Sequence, residues 1–178
     1  MRVALGVGLL AFGFGLGGCS TTATAHGPRP VTPIAIDAAA VARAISAYRA
    51  EKGLGAVTVN AQLMKVAADY ARMMGERDRI KHGLGRSLPK RVEATGYDWG
   101  FVAENLAASY STIDDAMRGW KRSAGHRKNL LHEYALEIGI AAVATPPGSR
   151  HRNYWALVVA MKQPKNLVAR DRSGRRIK

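Results

Sequence analysis

The chain has 178 residues, with 27 Lys and Arg against 13 Asp and Glu, and a formal net charge of +14. Its one cysteine, Cys19, excludes an intramolecular disulfide, and the length suits a single domain with its own core. A positive surplus that large favours anionic partners, among them acidic lipid headgroups, cell-wall polymers and nucleic acid. There is no internal repeat, nucleotide-binding glycine loop, CxxC or HExxH pattern.

Residues 1–18 carry one charge, Arg2, followed by an uncharged run from Val3 to Gly18 that six glycines interrupt. The run is shorter than the roughly 20 apolar residues a membrane-crossing helix needs. A basic start, a short apolar stretch and small residues at the end are the features of a removable secretory signal. The end, Leu16-Gly17-Gly18-Cys19, resembles the lipobox of bacterial lipoproteins, which implies acylation of Cys19 and a membrane anchor through lipid. Ser20 follows, where a residue other than Asp resembles outer-membrane forms if the host is Gram-negative. Loss of residues 1–18 removes only Arg2, so the surplus falls by one, from +14 to +13. For an exported protein, nucleic acid ranks last among the anionic partners. Residues 19–36, with the small, polar, proline-bearing run Thr21 to Pro33, read as a flexible tether in which His26 is solvated.

From Asp37 to 163 the pattern is that of a folded domain. Val41, Ile45 and Tyr48 recur at helical spacing, with Gly53 as the stop. Asn60 offers an N-cap for a second helix ending near Arg79, and Leu63, Val66, Tyr70 and Met73 or Met74 form its core stripe. Lys81 to Gly100 reads as loop with one short helix around Pro89 to Ala94. Ser111 to Asp115 holds two overlapping capping boxes before an amphipathic segment with Ile113, Met117 and Trp120 on one face. Leu136 to Ala144 and Tyr154 to Met161 are strand-like and suggest an antiparallel hairpin. Helices first and strands later indicate an α+β layered domain. Residues 164–178 form a basic tail, read first as a solvated end with no specific partner and, as the alternative, as one that clings to anionic lipid or wall polymer.

Three segments carry polar groups suited to chemistry: Lys81-His82-Gly83, Ala103-Glu104-Asn105-Leu106 and Trp120 to Leu131 (WKRSAGHRKNLL). Each is expected at a loop or helix end. Their side chains are too far apart in sequence for a local metal motif, so the fold must assemble any site. Ser123 has no GxSxG around it, which disfavours serine hydrolysis. His132 and His151 read as surface residues, Arg127 and Lys128 as an anion-binding or solvated face, and Trp120 and Trp155 as core anchors. Trp99 is expected in an exposed glycine-bearing loop.

The ordered set of two helices, KHG, AENLA, WKRSAGHRKNLL, EIGIA and YWALVVA resembles the CAP superfamily, which includes cysteine-rich secretory, antigen 5 and pathogenesis-related proteins. The chain is most similar to its disulfide-free bacterial branch, from Asp37 to about Lys162. The resemblance implies an α-β-α sandwich in which helices flank a small antiparallel sheet. It also implies a cleft holding His82, Glu104 and His126, with Ala103 replacing the family's glycine at a backbone turn. The family's second acid falls at Ser123, and Glu137 is the remaining acid that could enter the cleft. Two imidazoles and a carboxylate suit zinc with water in an open position, on His82 and His126, or a water-activating base without metal. Two functions stay open: an envelope module binding lipid, glycan or another envelope component, and a hydrolase of wall polymer or peptide.

Overall fold

The computed structural model describes residues 27–164. The signal 1–18, Cys19 and the tail from 165 onward lie outside the described residues.

The chain runs β1 (Thr32–Pro33), α1 (Ala38–Ala50), β2 (Thr58–Val59), α2 (Ala61–Glu76), α3 (Leu88–Glu93), β3 (Trp99–Ala108), α4 (Ile113–Arg122), α5 (Ala124–Leu130), β4 (Glu137–Ala144) and β5 (Asn153–Lys162). The helices start where the sequence supplies caps. Asp37 accepts from the Ala40 N–H at 2.9 Å, and Asn60 from Gln62 and Leu63 at 2.9 and 3.2 Å. Thr112 accepts from Asp115 at 3.1 Å, so the second of the two overlapping capping boxes is the one used. Each such cap satisfies a backbone donor that the helix itself leaves free.

The sheet has the order β1-β4-β5-β3, with β2 pairing on the same edge of β4 as β1. β4 and β5 form the expected antiparallel hairpin, with Ile138 opposite Val159 and Ala142 opposite Trp155. The short β2 is the exception, since it pairs parallel to β4.

Alternation along β5 separates the two cores. Trp155, Leu157 and Val159 pack under α1 and α4 with Val41, Ile45, Met117 and Trp120, whereas Tyr154, Ala156, Val158 and Ala160 pack under α2 with Leu63, Val66, Tyr70 and Met74. Successive side chains of a strand point to opposite faces, so a continuous apolar run such as YWALVVA belongs to a strand covered on both sides. The architecture is the α-β-α sandwich that the sequence led us to expect. Gly139 lets α2 approach closely, because a Cβ there would overlap the Leu63 carbonyl.

Four expectations change. Residues 27–36 do not stand clear as tether: Val31 packs on the α2-side core, Ile34 and Ile36 on the other, and Thr32–Pro33 pairs with Val143 and Ala144. Apolar side chains at alternate positions give this stretch something to bury despite its prolines. α2 stops at Glu76 rather than near Arg79, and Asp78 turns the chain with φ of 48°. The helical segment after Thr112 breaks at Ser123, whose extended backbone separates α4 from α5. Trp99 to Ala108, read partly as loop, is a ten-residue edge strand. Gly100 and the charge of Glu104 hide its period. Ala103 consequently sits on extended backbone opposite Val159, and no turn occurs there.

Candidate functional site

Glu104 and Asn105 are neighbours on an edge strand, so their side chains leave the sheet on opposite faces. Each fastens one of the two histidine-bearing segments beside that edge.

The Glu104 carboxylate turns to the α2 side. Its Oε1 meets His82 Nδ1 at 2.8 Å, and its Oε2 accepts from the Arg91 guanidinium at 2.6 Å. Glu104 is 8% exposed and the Arg91 side chain 9%, so this ion pair is almost fully desolvated. Arg91, on α3, also lies over the Tyr70 ring at 3.6 Å, an attraction between a cation and the negative face of the ring. Tyr70 in turn pins the loop that carries His82. Its hydroxyl donates to the Lys81 carbonyl at 2.6 Å and accepts from the Leu84 N–H at 2.9 Å. Gly83 and Gly85 take φ of 69° and 75° in that loop, a left-handed backbone that glycine adopts without strain. The His82 side chain remains 62% exposed.

Asn105 turns to the other side and is buried. Its amide donates to the His126 carbonyl at 3.0 Å, while Asn129 donates to the Asn105 side-chain oxygen at 2.9 Å and to the Glu104 carbonyl at 3.2 Å. α5, which bears His126, is thereby laced to the strand through neutral amides. Its far end is held by Arg49 of α1, fully buried, which donates to the carbonyls of Leu130 at 2.9 Å, His132 at 2.8 Å and Gly55 at 2.7 Å. Burial, and secondarily the charge of His82, hold the His126 imidazole below the ordinary histidine value.

The structure joins His82 directly to Glu104 and ties the His126 backbone to Asn105, the next residue of the same strand. It sets Glu137 apart. That carboxylate accepts from the Asn60 amide at 2.9 Å and from the Tyr97 hydroxyl, at the start of α2. Burial first, then Glu137, raise the Tyr97 pKa, so the phenol stays a donor. Glu137 pairs with Ala160, and Glu104 with Val158, on opposite edges of β5. Two strand spacings, roughly 10 Å, keep the two acids apart. Both Glu137 oxygens are engaged by Asn60 and Tyr97, and neither forms a hydrogen bond with His82 or His126. Ser123 is the half-buried hinge between α4 and α5, and its side chain makes no cap bond.

The remaining sequence candidates have structural places. Trp120 and Trp155 are buried, as expected, and donate to the carbonyls of Leu106 and Tyr110. His132 stacks on Phe101 at 3.9 Å, and His151 meets the Ser109 hydroxyl at 2.8 Å. Trp99 is half-buried and donates to Glu93. Sequence reasoning missed Arg91 and Arg49, and it quoted Asn105 and Asn129 within AENL and KNLL without giving either a role. The one signal available was that AEN and KNLL pair a charged or apolar residue with an amide at strand and helix spacing.

The zinc reading does not fit this arrangement. Among the described residues, no three or more His, Cys, Asp or Glu side chains are grouped to hold a metal ion. Glu104 has both oxygens engaged, and Arg91 places a positive charge at 2.6 Å from one of them. Two imidazoles are one short of the three protein ligands used by open zinc sites.

Residues 42–159 match the model of the cysteine-rich secretory protein family, CAP. The chain belongs to the CAP family. Two relatives from Bacillus subtilis are similar over part of it: the uncharacterized protein YkwD, 26% identical over 100 residues, and the uncharacterized membrane protein YlbC, 30% identical over 94. These matches cover 55% and 52% of this chain but only 39% and 27% of the relatives' own lengths. Among solved structures, the CAP fold here is similar to an outer surface protein from Borrelia burgdorferi, with TM-score 0.66 and 20% identity over 75% of this chain and all of that one. It is also similar to an extracellular SCP-domain protein from Bacillus anthracis, with TM-score 0.60 and 22% identity over 69% of this chain and 39% of that one. Both likenesses concern the fold.

Proposed function

We propose that this CAP domain is a non-catalytic binding module displayed at the bacterial cell envelope, whose cleft recognises a lipid, glycan or other envelope component. The observation that carries this reading is the commitment of Glu104. A general base needs an oxygen free to take a proton from water within hydrogen-bond reach. Both oxygens of Glu104 are already occupied, one by His82 and one by Arg91, and the carboxylate is buried. It organises the cleft instead of acting on a substrate. Near His82 and the half-buried His126 in sequence, Lys81 and Lys128 are exposed, and such donors would suit hydroxyl-rich or acidic groups. The envelope location is supported by the lipobox-like LGGC at residues 16–19, and by relatives described as outer-surface and extracellular proteins.

One feature favours hydrolysis as the second reading. His82 presents Nδ1 to Glu104, which leaves Nε2 outward, an orientation resembling the oriented imidazole of acid–base dyads. The two readings separate in one experiment with purified cell walls, comparing wild type with a His82→Ala, His126→Ala double variant. Retention of wild type on walls, lost in the double variant and without soluble fragments from either, is the expected result. Fragments released by wild type alone would overturn the binding reading.

A further inference from the structure

Away from the cleft, the end of α2, the β4–β5 loop and the start of the described chain meet around a wide opening of about 720 Å³. Arg29, Arg77, Arg79 and Arg150 line it, with Glu76 and Asp78 the acids present. The acids are used internally. Glu76 pairs with Arg72 at 2.9 Å. Asp78 is buried and accepts from the Arg150 N–H at 2.9 Å and from the Tyr154 hydroxyl at 2.9 Å, with Arg29 at 3.7 Å. Among the described residues, Arg77, Arg79 and Arg150 form no ion pair of their own, and all three are exposed. The outward face therefore carries guanidinium groups whose planar forks match phosphate oxygens.

The position of this face points to its partner. Arg29 N–H donates to the Glu76 carbonyl, so the chain toward the N-terminus departs from the arginine cluster itself. Gly27 lies eight residues along the chain from Cys19, a reach of at most about 28 Å. β5, by contrast, carries the chain from the arginine end to Lys162, ten residues and roughly 30 Å away. The basic tail thus starts from the other end of the sheet.

We propose that Arg77, Arg79 and Arg150 form a docking face for the anionic phospholipid headgroups of the membrane in which the chain is anchored. Proximity to the membrane rests on reading Cys19 as the anchor, while the chemistry of the face does not. Docking would lay the α2 end of the sandwich on the bilayer and fix which way the cleft looks.

The test uses the chain from position 19 with Cys19→Ser, which retains every described residue and the tail but takes no lipid. Co-sedimentation with phosphatidylglycerol–phosphatidylcholine vesicles at low salt is expected, with none on phosphatidylcholine alone. Arg77→Glu with Arg79→Glu should weaken it by roughly 25-fold or more, at about five-fold per juxtamembrane charge. The same reversal at the exposed Lys52 and Lys90 should change it less than about two-fold. An unchanged arginine variant, an equal loss in the lysine variant, or a loss produced wholly by deleting residues 166–178 would each overturn the proposal. Fatty-acid labelling of the full chain, lost on Cys19→Ser, tests the anchor separately. A chain that takes no label yet binds vesicles through Arg77 and Arg79 would sink the anchor and keep the docking face.

Discussion

The two histidines of the cleft stand on walls held by different forces. The His82 wall depends on charge: a buried Arg91–Glu104 pair, an arginine over Tyr70, and a loop with two left-handed glycines fastened by one hydroxyl. The His126 wall depends on neutral amides, Asn105 and Asn129, together with Arg49 donating to backbone carbonyls. One edge strand supplies both anchors because adjacent residues face opposite ways. The difference teaches that the cleft can be disturbed one wall at a time, and that the charged wall is the more brittle. A buried ion that loses its partner keeps its full desolvation cost, whereas a lost amide leaves only neutral groups unsatisfied.

Arg91→Met breaks the charged wall and is expected to have the largest effect. It strands Glu104 in the interior, and removal of one partner from a buried pair costs about 3–5 kcal/mol. Chemical denaturation of the chain from position 19, carrying Cys19→Ser, measures this. Adding Glu104→Gln should restore part of the loss, since it removes the stranded charge. If the double variant is as unstable as Arg91→Met, packing rather than charge holds that wall.

Asn105→Ala should cost less, about 1–3 kcal/mol for buried partners left without a bond. Its more telling readout is local. With α5 released, His126 becomes better hydrated and its pKa, followed by NMR, should rise toward the ordinary histidine value, while His82 shifts little. Equal movement of both resonances would show that the walls are not independent.

The smallest effect expected is on pH. Because His126 is held below its ordinary value, the folded state binds its proton less tightly than the unfolded chain does. Stability should therefore fall as pH drops below about 6.5 and level off once below the folded-state value, with no penalty above 6.5. His126→Asn should flatten that part of the stability profile, and His82→Asn should reduce it by the smaller share that His82 contributes. A wild-type profile flat between neutral and mildly acidic pH would remove the argument that His126 is desolvated.

Much of this could be read from the chain. Asp37, Asn60 and Thr112 cap where their side chains predict, because capping depends on contacts within three residues. The apolar run YWALVVA was legible as a strand of a hairpin, and its cover on both faces came from the structure. β3 was not, since edge strands bury less and Glu104 interrupts its pattern. Of the site, KHG, AEN and GHR could be picked out as an ordered set resembling the CAP family. Arg91 could not, because nothing near it in sequence marks an arginine on a six-residue helix as the partner of a carboxylate 13 residues on. Glu137 shows the opposite error. It resembles a spare acid in LEIGI, and only its contacts with Asn60 and Tyr97 reveal a structural role.

By itself the sequence determined the layered α+β class, the places where helices begin and the closing hairpin, because these follow from local backbone chemistry and the period of apolar residues; it offered His82, Glu104 and His126 as candidates through the resemblance alone. The tertiary structure decided that both oxygens of Glu104 are engaged, which segments carry His82 and His126, and that the arginines at the end of α2 share a face with the start of the described chain. Those are relations between segments distant in sequence, set by strand order and by the opposite directions of neighbouring side chains on one edge strand.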